Sequence, residues 1–148
     1  MKSKRSRWAG RIVSGLAAVF LTFDGAIKLS HVQSVADAHR QLGIPMHLAP
    51  AIGVIELACL ALYLVPRSAV LGAVLLTGYL GGAVAIHMRL EDPLVSHTLF
   101  PIYVGVLCWV GLYLRDPRVR ALVASSTATE SDETIQPRVL RGLPDASW

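Results

Sequence analysis

The sequence predicts an all-α integral membrane protein, a four-helix bundle, and three observations carry that expectation. Of its 148 residues 53% are hydrophobic and only 16% charged, where a soluble domain carries about a quarter charged residues. Four apolar runs, at 12–29, 48–65, 69–86 and 98–114, are each 17 or 18 residues long. A hydrocarbon core of about 30 Å, crossed at about 1.5 Å per residue, asks for some 20 residues and accepts as few as about 17. Finally, none of the runs alternates polar with apolar, so each satisfies its backbone in lipid as a helix rather than as a barrel strand. The composition excludes a disordered chain, and two cysteines exclude a disulfide-stapled miniprotein.

The elements follow in order. Residues 1–11 form a basic start with Lys2, Lys4, Arg5, Arg7 and Arg11, and Trp8 stands where an interface anchor belongs. The first span, 12–29, leads into residues 31–44, where Val32, Val35, Ala36 and Leu42 recur at helical spacing before Gly43 and Pro45. That pattern predicts a short amphipathic helix lying on the outer membrane surface. Pro50 opens the second span, where a missing N–H costs least, and Pro66 closes it. Arg67-Ser68 leaves a tight hairpin with Ser68 as N-cap of the third span, so the second and third helices should be antiparallel neighbours. Gly78, Gly81 and Gly82 offer a small face for close helix packing, within the bundle before any homo-oligomer. Pro101 opens the fourth span, and from Ser125 the polar run SSTATESDETIQP predicts a disordered tail over 124–148.

Nine Lys and Arg residues flank the spans on the side of the termini against two, Arg40 and Arg89, on the other. The positive-inside rule therefore puts both termini in the cytoplasm, in a multi-pass protein of the cytoplasmic (inner) membrane. A secretory signal over 1–38 is the competing reading. It fails because the Ala36-Asp37-Ala38 triplet lies far beyond the apolar run and three further spans remain.

Ionisable residues inside spans carry an insertion cost of about 2.5–3.5 kcal/mol each near a helix centre, and so mark where function is to be sought. Three are present: Asp24 and Lys28 on the first span, Glu56 on the second. Counting rise per residue, Asp24 lies about 18 Å from the inner edge, Tyr79 about 15 Å from it, and Glu56 about 12 Å from the outer edge. Lys28 comes one turn further out, and Tyr103 lies about 8 Å below the outer face. His87 continues the face of Tyr79 and Ala83 in steps of four. All five histidines (His31, His39, His47, His87 and His97) fall in or beside the outer connections. Asp24, Lys28, Glu56, Tyr79, His87 and Tyr103 thus make a candidate polar cavity open to the outer side, suited to a quinone, a proton or a small substrate. Interhelical hydrogen bonding that merely fixes the packing is the alternative, and both stay open. No two histidines have metal-ligand spacing within one helix, so no metal is expected. Cys59 and Cys108 lie at similar depth without a CxxC, and read as packing residues. No phosphate-cradling glycine loop, nucleophile elbow or metalloprotease helix is present, and no nucleic-acid partner is expected.

TGYLGGAVAIHMRLEDP with HTLFPIYVGVLCWVGLYLRDPRVRALV, together with FDGAIKL and LAPAIGVIELACLALYLVPRSAVLGAVLLTGYLGG, closely resembles the DoxX-like family over residues 11–123. The glycines, His87, Arg89, Asp92-Pro93, His97, Pro101 and Arg115-Asp116-Pro117 carry the resemblance as a block, and Gly81, Gly82, His87, Arg89, His97 and Pro101 are the positions it marks as family features, without roles. It implies a small four-helix membrane fold. Because the best-known relatives are small subunits of sulfur-compound:quinone oxidoreductases, it implies an accessory place in a quinone-linked redox system beside soluble or membrane subunits, rather than a stand-alone enzyme. A small proton-coupled carrier using Asp24 and Glu56, and a structural membrane partner without chemistry, are the alternatives.

Overall fold

The chain is described over residues 2–30 and 32–125 by a computed structural model. His31 and the expected tail from 126 onward lie outside the described residues. Five helices make up the first compact unit: α1 Lys2–Leu29, α2 Gln33–Gln41, α3 Ala49–Leu64, α4 Ala69–Arg89 and α5 Phe100–Arg115. A 3-10 turn, Met46–Leu48, leads into α3, and one wide helical turn, Leu94–Thr98, leads into α5. Four segments are long and apolar enough to cross a membrane, namely Lys4–Leu29, Met46–Leu64, Ala69–Arg89 and Leu94–Arg115. The chain is therefore a four-helix integral membrane protein, with α2 added between its first two spans.

The spans run alternately up and down and close into a ring in the order α1, α3, α4, α5, with α5 packed back against α1. The helix start of α1 reaches further back than the apolar run at 12–29, because the basic residues before it continue the same helix. Charged ends propagate a helix as readily as apolar middles do, since Lys and Arg are good helix formers. Outward faces are apolar along their length, with Ile12, Leu16, Val19 and Phe23 exposed on α1, as a helix facing lipid requires.

Inward, α1 presents a buried stripe, Gly10, Ser14, Ala17, Ala18, Leu21 and Gly25, in which every residue but Leu21 is small. These let neighbouring backbones come close. A Cβ on Gly111 of α5 would stand 2.4 Å from the Ser14 hydroxyl oxygen and 2.8 Å from the Ser14 nitrogen. Closer still, a Cβ on Gly72 would lie 2.1 Å from the backbone nitrogen of Tyr63, so α3 and α4 pack main chain to main chain near their hairpin. Gly78, Gly81 and Gly82 do not play the part expected of them: all three are exposed, with open space where a Cβ would sit. The close contacts belong instead to Gly10, Gly25, Gly53, Gly72 and Gly111, so α4 packs closely through Gly72 at its start while its later glycines face open space.

The α3–α4 hairpin also closes differently from the expectation. Ser68 makes no side-chain cap for α4; its hydroxyl donates back to the Leu62 carbonyl at 2.9 Å. Arg115 donates to the Tyr63 carbonyl at 2.6 Å, with its guanidinium 4.5 Å from the Tyr63 ring centroid. Both serve carbonyls of the last turn of α3, which have no partner within their own helix. Tyr63, fully buried, in turn joins Ser14 at 2.8 Å and donates to the Cys108 carbonyl at 2.8 Å. One tyrosine thus ties α1, α3 and α5 together. Cys59 and Cys108 are both free and buried.

Residues 116–125 belong to a second unit. Residues 117–125 are helical, and the Asp116 carboxylate accepts from the Arg118 backbone N–H at 2.9 Å, an N-terminal cap.

Candidate functional site

At the end of the bundle away from the start of α1, helices α1, α3 and α4 bring four of the expected residues together. Lys28 Nζ donates to Glu56 Oε2 at 2.8 Å, to the Tyr79 hydroxyl at 3.1 Å and to Asp24 Oδ2. The Tyr79 hydroxyl donates to Glu56 Oε2 at 2.8 Å. Residue counting alone puts Lys28 a turn beyond this layer, but side chains on a helix lean toward its N-terminus, and the long lysine stem reaches back to Asp24. Glu56 leans the same way on a helix of opposite direction, which carries it up to meet the ammonium. Burial is graded across the cluster: the Glu56 side chain is fully buried, Lys28 is 17% exposed and Asp24 38% exposed. Glu56 Oε1 is buried with no hydrogen-bond partner among the described residues.

Above this cluster is a cavity of about 540 Å³ between α1, α4 and α5, roofed by α2. Its walls are mostly apolar, including Phe20, Phe100, Ile86 and Val104, and its polar lining comes from Asp24, Lys28, Ser34, His39, Tyr79 and His87. The size and character match small-molecule pockets, which run to about 300–1,000 Å³ with a few polar groups on apolar walls. Gly82 and Ala83 line it too. The open space at Gly82 is therefore cavity, not a helix contact.

The roof explains why there is room. Although α2 forms at Gln33–Gln41 near where its apolar pattern predicts, it does not simply lie on the surface. Val35 and His39 are buried, and Ser34, Val35, Ala38, His39 and Leu42 face the cavity. The backbone of α2 comes closest to the turn at Met46–Leu48 rather than to the spans, so its side chains bridge a gap. Gly43 at φ +66° turns the chain out of α2, a left-handed conformation that suits glycine. Arg89 then donates to the Leu42 carbonyl at 3.0 Å, fastening the roof to the end of α4.

His87 lines the cavity, with its Nδ1 2.7 Å from Asp92 Oδ2 and its ring centroid 6.2 Å from that of His97. Tyr103 does not join the cavity. It is 47% exposed and absent from the lining, because the buried face of α5 runs through Pro101, Val104 and Cys108. His39 has the opposite history: the sequence marks it as one of five outer histidines, yet the structure buries it to 4% exposure at the cavity. Its i+4 step from Val35 on one face of a short helix is the signal that points there. Among the described residues no group of three or more His, Cys, Asp or Glu is arranged to hold a metal ion.

Fold and site together define a small four-helix integral membrane protein with an ionic cluster under a roofed apolar cavity. The chain belongs to the DoxX-like family, whose sequence profile matches residues 12–111. Neither a curated protein nor a solved structure matches it.

Proposed function

We propose that this protein is a quinone-binding accessory subunit of a membrane redox system, residing in the cytoplasmic membrane with both termini on the cytoplasmic side. The observation that carries the reading is the 540 Å³ cavity, whose apolar walls end on Asp24, Lys28 and Tyr79. Such a space suits a flat, largely apolar ring with a few oxygen atoms better than a charged solute. The DoxX-like family resemblance to quinone-linked subunits agrees with it, and the lysine and arginine asymmetry supports the orientation.

Purification in mild detergent followed by lipid extraction tests the reading. Quinone, in either redox state, should accompany the parent in near-stoichiometric amount and be displaced in Gly82→Leu, whose side chain would grow into the cavity. Retained phospholipid with no quinone would defeat it. A reporter active only in the periplasm should be silent at the C-terminus; activity there would reverse the orientation.

One observation favours a second reading, a small proton-coupled carrier. Two carboxylates share one ammonium, and Glu56 Oε1 is buried without a partner among the described residues, an arrangement able to hold an additional proton. Glu56→Gln should then abolish a proton-driven flux in vesicles while leaving quinone content unchanged.

A further inference from the structure

Donor and acceptor counting in the cavity says which oxidation state of a quinone-class ligand it takes. An ammonium has three N–H donors, and Lys28 spends all three on Asp24, Glu56 and Tyr79. The single hydroxyl hydrogen of Tyr79 goes to Glu56. What this end of the cavity offers a ligand is therefore lone pairs, on the Asp24 carboxylate and the Tyr79 oxygen.

The histidines agree. His39 Nδ1 lies 3.0 Å from the Val35 carbonyl oxygen, which can only accept, so Nδ1 carries the hydrogen and Nε2 of the neutral ring is an acceptor. Nε2 is buried with no partner among the described residues, on a ring that lines the cavity. His87 repeats the pattern in its neutral form, where Nδ1–H meets the Asp92 carboxylate at 2.7 Å and Nε2 is an acceptor. Ser34, an exposed residue at the cavity's edge, is the one lining side chain among the described residues with a hydroxyl hydrogen uncommitted. A carbonyl oxygen entering this space would meet mainly other acceptors, while a hydroxyl would be received at either end.

Resting on the quinone reading above, we infer that the cavity holds the reduced, dihydroxy form of its ligand, with one ring hydroxyl donating to His39 Nε2. His39 is then a ligand-binding residue, and the buried nitrogen that lacks a partner gains one.

Calorimetric titration of the detergent-solubilised full-length protein, under argon at pH 8, tests this with three probes of one shape: decylubiquinol, its dimethyl ether and decylubiquinone. This pH lies above the ordinary imidazole pKa of about 6.5. Decylubiquinol should bind about tenfold more tightly than either of the others, the order of magnitude of one good hydrogen bond with its acceptor otherwise stranded. In His39→Phe, which keeps an aromatic ring and removes the acceptor, decylubiquinol should lose most of its advantage over the other two. The comparison of probes on the parent needs no variant, so a misfolded His39→Phe leaves it intact. Equal binding of all three by the parent, or tighter binding of the quinone, would overturn the inference and leave the quinone reading standing. Binding of none would overturn both.

Discussion

The half of the bundle at the start of α1 and the end of α5 and the half beneath α2 are built differently. In the first, helices meet backbone to backbone: Gly72 against Tyr63, Gly111 against Ser14, Gly10 against the end of α5. The buried Ser14–Tyr63–Cys108 chain hydrogen-bonds α1, α3 and α5 where they already touch. Under α2 only α1 and α3 meet closely, at Gly25 and Gly53; Gly78, Gly81 and Gly82 of α4 face open space, and charged side chains reach from α1 to α3 and α4. Without a hydrophobic drive between helices in lipid, close van der Waals contact is what makes a bundle cohere. The first half supplies cohesion, which permits the second half to keep a cavity.

Four substitutions break or sharpen that contrast, in falling order of effect. Lys28→Met removes the cation from between two carboxylates and strands Glu56 in a fully buried site. Loss of one partner of a buried pair costs about 3–5 kcal/mol, and thermal unfolding in detergent should show this as the deepest loss. If Lys28→Met melts like the parent, the cluster contributes nothing to cohesion and the two halves are more separate than described. Gly72→Ala forces a methyl group into the main chain of Tyr63 and should destabilise by about 1–3 kcal/mol, the range of overpacking; an unchanged melting curve would show that the hairpin can open without cost. Tyr63→Phe deletes the links to Ser14 and the Cys108 carbonyl and should lose about 1–2 kcal/mol. The smallest effect belongs to Gly78→Ala, where a Cβ meets nothing, and a shift within about 0.5 kcal/mol is expected. Were Gly78→Ala as damaging as Gly72→Ala, the α4 glycines would be packing against something, such as a second copy of the chain.

The spans were legible in the sequence because bilayer thickness and backbone satisfaction leave few options. Asp24, Glu56 and Tyr79 were legible for a similar reason: cost singles out the carboxylates, and rise per residue fixes their depth. Helix rotation was not legible. Gly78 and Gly82 make a better packing motif on paper than Gly10 and Ser14 do, yet it is the stripe from Gly10 to Gly25 that is buried. Nothing local in α4 tells which side its neighbours occupy. Tyr103 was misplaced by the same ignorance of rotation, since depth was right to count and facing was not. His39 was missed as a site residue because α2 read as a surface helix, and only the gap beneath it gives its buried face an occupant to meet.

The ring order α1, α3, α4, α5 also bears on how the chain is made. Synthesis runs from the N-terminus, so α1 and α3 reach the bilayer before α5 exists. Lys28 and Asp24 are on the first of these and Glu56 on the second, and their ion pairs need no third helix. Tyr79 on α4 then completes the cluster. The charged residues most costly to leave in lipid are thus matched earliest, while the seam between Gly111 and Ser14 waits for the last span. The nascent protein has its buried charges paired first and is sealed afterwards.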